Sequence, residues 1–164
     1  MTEFRKMRRF RQEMSEERTI EVLNKATSGV LAVLGDEDYP YAVPLSFVYD
    51  EGKIYFHCAK AGHKLDAMRK HDKVSFCVID QDQIVGEEFT TYFRSVIAFG
   101  KVRELEHFGE EFKHAHRILS VKYWPEAPKE KVEEALKKEG MPMLVFAIDV
   151  EHMTGKEAIE LVKK

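Results

Sequence analysis

The chain has 164 residues, 44% of them hydrophobic and 34% charged, with a formal net charge of −3. That length suits one domain with a real core, and the charge balance gives no overall case for nucleic-acid binding. Two cysteines, Cys58 and Cys77, are too few for a disulfide framework, and no apolar run is long enough to span a membrane. The opening "MTEFRKMRRFRQEMSEE" has neither the apolar core nor the cleavage pattern of a secretory signal, so a cytoplasmic protein is expected. Residues 1–14 form a basic arm, and within its first eleven residues Arg5, Lys6, Arg8, Arg9 and Arg11 face one acid, Glu3. An anion contact is one reading of it; a solvated segment is the preferred one.

Ser15 reads as an N-cap followed by Glu16 and Glu17 in a first turn, with Ile20 and Leu23 on one face, which predicts a short helix ending near Lys25. "SGVLAVLG" reads as a buried strand, "YAVPLSFVY" as a second strand and "KIYFHC" as a third, joined by short turns. This spacing predicts an antiparallel meander. "GHKLDAMRKH" reads as a short helix, "KVSFCVID" as the fourth strand and "QDQIVGEEFT" as a polar loop. "TYFRSVIAFGKVREL" is a long fifth strand with a bulge or bend expected at Gly100. A helix is expected over 106–123, then a solvated one over "KEKVEEALKKEG". "MLVFAIDVEH" is the sixth strand, and the tail over 153–164, "TGKEAIELVKK" included, is read as helix. The expectation is one domain over 1–164, mainly β: a six-stranded antiparallel barrel with peripheral helices.

For metal chemistry the histidines are poorly placed. His114 and His116 are two apart on a helix and point to different faces, so an exposed polar face is the preferred reading; His57 and Cys58 are adjacent on a strand and point to opposite sides. No metal is expected. Neither cysteine has an activated setting: Cys77 reads as core, and Cys58 ends a strand where it could be exposed. The stretch after His57 and Cys58 is more informative. The loop "AKAG" leads into a helix beginning near Gly62, with His63 and Lys64 in its first turn. Basic residues suit a helix N-terminus poorly unless an anion compensates them, and the glycine lets a ligand approach the backbone. A phosphate site and a tolerated surface pair stand level on these residues alone. In the second strand, Tyr41, Val43, Leu45, Phe47 and Tyr49 alternate with Ala42, Pro44, Ser46 and Val48. The large face belongs to a core. The small face leaves room for a planar ring or a subunit interface, and Pro44, lacking an N–H, marks an edge or an interruption.

These stretches, from "GVLAVLGDEDYPYAVPLSFVYDEGKIYFHCAKAGHKLDAMRKHDKVSF" through "YFRSVIAFGKVREL" to "MTGKE", resemble the flavin-binding split-barrel superfamily of pyridoxamine 5′-phosphate oxidase, and within it the nitroimidazole-resistance branch. The likeness runs from about Met7 to Ala158, with Phe93 standing before Arg94 where a tyrosine is common. It implies a homodimer with FMN (FAD being the variant) in the groove between two barrels. Val43, Pro44, Leu45 and Ser46 would border the isoalloxazine. His57, Cys58, Gly62, His63 and Lys64 would surround the ribityl phosphate, and Arg94 and Ser95 would approach the flavin. The resemblance gives His57 a second, catalytic role. It implies an oxidoreductase drawing electrons from NAD(P)H for a small acceptor, with a flavin store or sensor without turnover as the alternative. The chain lacks the C-terminal arginine-bearing strand of true pyridoxamine phosphate oxidases, so vitamin B6 oxidation is not expected.

Overall fold

The computed structural model describes residues 2–162. Ser15 caps the first helix, α1 (Glu16–Lys25), its side chain accepting from the Arg18 N–H at 3.3 Å. Seven strands follow rather than six: β1 (Gly29–Leu34), β2 (Pro40–Leu45), β3 (Val48–Asp50), β4 (Lys53–Ala59), β5 (Lys73–Val85), β6 (Thr90–Glu104) and β7 (Met143–Glu157). Helix α2 (His63–Lys70) lies between β4 and β5, and α3 (Glu110–Tyr123) and α4 (Lys129–Glu139) between β6 and β7. No described helix is long and apolar enough to cross a membrane.

The extra strand comes from a break. The predicted second strand over 41–49 is interrupted at Ser46 and Phe47, and its halves pair with different partners, β2 with β1 and β3 with β4. All pairings are antiparallel in one sheet, ordered β2-β1-β5-β6-β7-β4-β3. The two edges of that sheet are therefore the two halves of one chain segment. The sheet curls until its ends meet, and the closure is covalent, through Ser46–Phe47.

Two further expectations are corrected. Residues 81–90 are a hairpin rather than a polar loop: β5 continues to Val85 and pairs with β6 from Thr90. The segment Thr154–Glu157 is strand, the end of β7 paired with β6, and only Ile159–Leu161 forms a 3₁₀ turn; residues 163–164 lie outside the described range. The bulge expected at Gly100 is present as a register shift between Phe99 and Gly100.

Inward faces of the strands fill the barrel with Leu31, Ile54, Phe56, Phe76, Val78, Val96 and Ile148, joined by Phe47 at the break, each 0–1% exposed; Val22 and Leu23 of α1 and Leu65 and Met68 of α2 join the same core. Burial of such side chains contributes roughly 1.5–3 kcal/mol each. A second cluster lies outside the barrel, where Tyr55, Val145 and Ala147 pack under Phe112, Ala115 and Leu136 of the α3–α4 hairpin. The charged groups at its border are paired: Arg103 bridges Glu111 and Asp149, and Glu111 also accepts from the Tyr55 hydroxyl. The hydrogen bonds from Arg103 hold the Glu111 carboxyl at about 2.

Candidate functional site

The barrel is split on one side. β3 covers β4 only from Lys53 to Tyr55, so Phe56–Ala59 pair with β7 and leave their other edge without a strand. β2 likewise pairs with β1 alone. Had the Val48–Tyr55 register continued past the break, Ser46 would face His57 and Pro44 would face Ala59. Instead the two edges diverge from Phe47 and leave a wedge-shaped seam. Pro44, with no N–H to offer, sits on that free edge.

The open end of the seam meets the start of α2. Gly62 precedes the helix at φ 143° and ψ 167°, a conformation essentially restricted to glycine. No side chain caps α2, so its first N–H groups are left for a ligand or solvent. His63 bridges to the β2 side: its ring stacks on Tyr41 with centroids 4.2 Å apart, and its Nε2 accepts from the Asp36 N–H at 3.1 Å. That bond leaves Nδ1 as the ring's donor. Lys64 stands beside His63 in the first turn, near enough for its charge to add to the burial that lowers the pKa of His57 and to offset part of the burial that raises that of Cys58.

The structure thus brings Val43, Pro44, Leu45, Ser46, His57, Cys58, Gly62, His63 and Lys64 to one seam. Their roles differ. Val43 and Leu45 turn inward against the core, while Pro44 and Ser46 are exposed. Cys58 is buried at 6% exposure, and burial pushes its thiol pKa up, so it offers the seam a backbone and no thiolate. His57 points outward with solvent access. The protein packed around it pushes its pKa below the usual value, opposed by Glu139 and assisted by Lys64.

Arg94 and Ser95 are not at the seam of the same chain. They lie on β6, the central strand of the sheet, three strands from either edge. Arg94 is engaged there, its Nε donating to Glu157 at 3.2 Å and its Nη1 to Gln81 at 2.9 Å. Arg18 grips the same buried Glu157 with two hydrogen bonds of 2.8 and 2.7 Å.

The sequence reading missed His116. Expected on an exposed polar face, it is 6% exposed at the border of α3's apolar stripe, and burial pushes its pKa down. Its charge environment includes Glu139 and His57, so the outward imidazole of His57 has a buried histidine for a neighbour. The available signal was its spacing, four residues after Phe112 and next to Ala115. Cys77, expected in the core, lies on the outer face and is half-buried. That face runs from the seam across the sheet. Pro44, Val30, Cys77 and Ile97 form one cross-strand row; Ala42, Ala32, Ser75 and Phe99 form the next. Phe4 of the basic arm stacks on Phe99 and His152, bordering a groove of about 360 Å³. Among the described residues, no three His, Cys, Asp or Glu side chains gather as metal ligands.

A family model described as pyridoxamine 5′-phosphate oxidase matches residues 15–157. No curated protein matches. Among solved structures, a candidate 5-nitroimidazole antibiotic resistance protein from Bacteroides thetaiotaomicron superposes with a TM-score of 0.73 at 22% identity, covering 88% of this chain and 86% of that one. A conserved hypothetical protein from Mycobacterium tuberculosis gives 0.81 at 18% identity, covering 97% and 94%. An FAD-binding protein from Mesorhizobium loti gives 0.65 at 27% identity, covering 89% and 96%.

Proposed function

The chain belongs to the pyridoxamine 5′-phosphate oxidase family, and from that premise we propose that it is an FMN-dependent oxidoreductase. It would pass electrons from a reduced nicotinamide donor to a small acceptor such as a nitroaromatic or nitroimidazole. The observation that carries the proposal is the seam: two unpaired strand edges open towards an uncapped helix start that holds Lys64. A flat ring with polar edges fits between such edges, and a phosphate fits the helix N-terminus. When bound, the flavin supplies the electron transfer.

The chain's own residues have separable tasks. The free N–H groups at the start of α2, Lys64 and the remaining donor of His63 hold the phosphate. Val43–Ser46 and the backbone of His57 and Cys58 border the ring. His57 keeps a neutral imidazole at pH 7, because its pKa is pushed down, and it can present an N–H to an acceptor without carrying charge. The flat outer face of β2, β1, β5 and β6 suits a second copy of the chain, and a homodimer would supply Arg94 and Ser95 across the interface. FAD-binding relatives make FAD the variant to test.

The test is direct. The purified protein, denatured to release its cofactor, should yield FMN by mass, and the reconstituted protein should oxidise NADH or NADPH faster when a nitroimidazole is added. Release of FAD would reassign the cofactor. Bound flavin with no turnover for any acceptor would leave a flavin store or sensor. A protein that neither retains nor takes up flavin would overturn the proposal.

A further inference from the structure

The break at Phe47 leaves a peptide between two strands with no strand to pair with, and the end of α3 takes it up. The Phe47 N–H donates to the Tyr123 hydroxyl at 3.1 Å, and the Lys122 ammonium donates to the Phe47 carbonyl at 3.0 Å. The same side chains reach α1. Lys122 donates to the Leu23 carbonyl at 3.3 Å, one of the helix's last, unpaired carbonyls, and Tyr123 donates to the Thr27 carbonyl. The Lys122 Nζ also stands 3.9 Å from the centroid of the Phe47 ring. That ring is fully buried and meets Phe76 edge-on at 5.0 Å, so Phe47 is anchored in the core on one side and by α3 on the other.

We propose that Lys122 and Tyr123 are positioning residues for the cofactor seam. By clamping the Phe47 peptide against the end of α1, they fix the point and angle at which β2 leaves β4, and so the width of the slot. The inference rests on the seam being the flavin site. It assigns a role to two residues outside that site, whose side chains bond to its hinge at Phe47.

The clamp has a pH dependence that separates it from simple support. The groups facing Lys122 Nζ are the Leu23 carbonyl from α1, the carbonyl and ring of Phe47, and the Tyr123 ring of its own helix, 5.7 Å away. No carboxylate pairs with it among the described residues. Burial pushes its pKa down to about 8, from an ordinary 10.5. The burial cost of the charge is therefore present below about 8 and fades between 8 and 10.5, so this group makes the fold more stable as pH rises through that window. The clamp works the opposite way, because the charged donor that makes the stronger bonds is lost as pH rises through 8.

The experiment compares wild type with Lys122→Met, Lys122→Arg and Tyr123→Phe. FMN affinity is measured by fluorescence titration from pH 7 to 9.5, with melting temperature and Phe47 amide exchange followed on the flavin-free protein. The wild type should bind FMN more weakly as pH rises, while its melting temperature holds or climbs. Lys122→Met should bind FMN about tenfold more weakly at pH 7 and lose the pH dependence; Lys122→Arg should restore most of the affinity. Tyr123→Phe should speed Phe47 amide exchange without unfolding the protein. FMN affinity within twofold of wild type in folded Lys122→Met, or unchanged exchange in Tyr123→Phe, would overturn the clamp. If wild type binds no flavin, the flavin reading fails by itself, and the amide exchange still decides whether the clamp exists.

Discussion

Gly62 and Gly52 make a matched pair for testing where the backbone serves a ligand. Both have positive φ, 143° and 81°, and a Cβ built on either meets nothing within 4 Å. Replacing either with alanine therefore costs only backbone conformation, with no clash to confuse the result. At Gly52, in the β3–β4 turn away from the seam's open end, the cost is about 1 kcal/mol. At Gly62, in a region nearly closed to other residues, it is about 1–3 kcal/mol. For a chain of this size those values correspond to drops in melting temperature of roughly 2–4 °C and 2–12 °C. Both variants should fold, since native stability is typically about 5–15 kcal/mol. Their flavin binding should differ. Gly62→Ala must relieve its strain by shifting the first turn of α2, which misaligns the N–H groups proposed to hold phosphate; FMN affinity should fall about tenfold or more, about 1.4 kcal/mol. Gly52→Ala should bind FMN within twofold of wild type. Thermal melts and FMN titrations on the two proteins suffice. Wild-type affinity in Gly62→Ala, or equal losses in both, would refute a phosphate site at the start of α2.

Lys64→Ala should weaken FMN binding by about 1.5–3 kcal/mol and leave riboflavin, which has no phosphate, nearly unaffected; parallel titrations check it, and equal losses count against the assignment. His57→Ala should keep its flavin but lose about a hundredfold in turnover per bound flavin. A loss of flavin affinity with turnover per flavin preserved would make His57 a phosphate contact instead. Glu157→Gln should destabilise the fold by about 3 kcal/mol, read by urea unfolding, because Arg18 and Arg94 lose their shared buried carboxylate. Burial opposes the charge on Glu157, but the two arginines overrule it and hold the pKa below 4.5. Its contribution should therefore be complete above that pH and fade as pH falls below it, an acid sensitivity that Glu157→Gln should lack.

Where structure is set by neighbours in sequence, the residues announced it. The Ser15 cap, the helix ending at Lys25, the strands over 29–34 and 53–59 and the bulge at Gly100 all follow from local composition. The break at Ser46–Phe47 did not show, because side chains from Tyr41 to Tyr49 alternate without interruption across it. What changes there is the pairing partner, which belongs to the whole sheet. The hairpin over 81–90 escaped notice because both its faces are largely solvated and carry no alternation. "TGKE" read as tail because a charged strand end makes sense only with Arg18 and Arg94 beside Glu157. The same distinction holds at the seam. The mismatch of charge and helix polarity at Gly62, His63 and Lys64, on which the proposed anion site rests, was legible locally. The stacking of His63 on Tyr41, the burial of His116 and the grip of α3 on Phe47 depend on contacts made only after folding.

The covalent closure at Ser46–Phe47 also constrains the order of assembly. β1, β2, β3 and β4 can pair locally as soon as they exist, but the stretch of β4 that borders the seam has no partner until β7 arrives, with His57 set against Val145. That contact closes a loop of on the order of ninety residues, and such distant pairings form late. Until then Phe56–Ala59 are bare on both edges and the slot has only one wall. A flavin taking the proposed seam would therefore meet a completed barrel instead of templating one, and flavin binding should appear only after the last strand has docked.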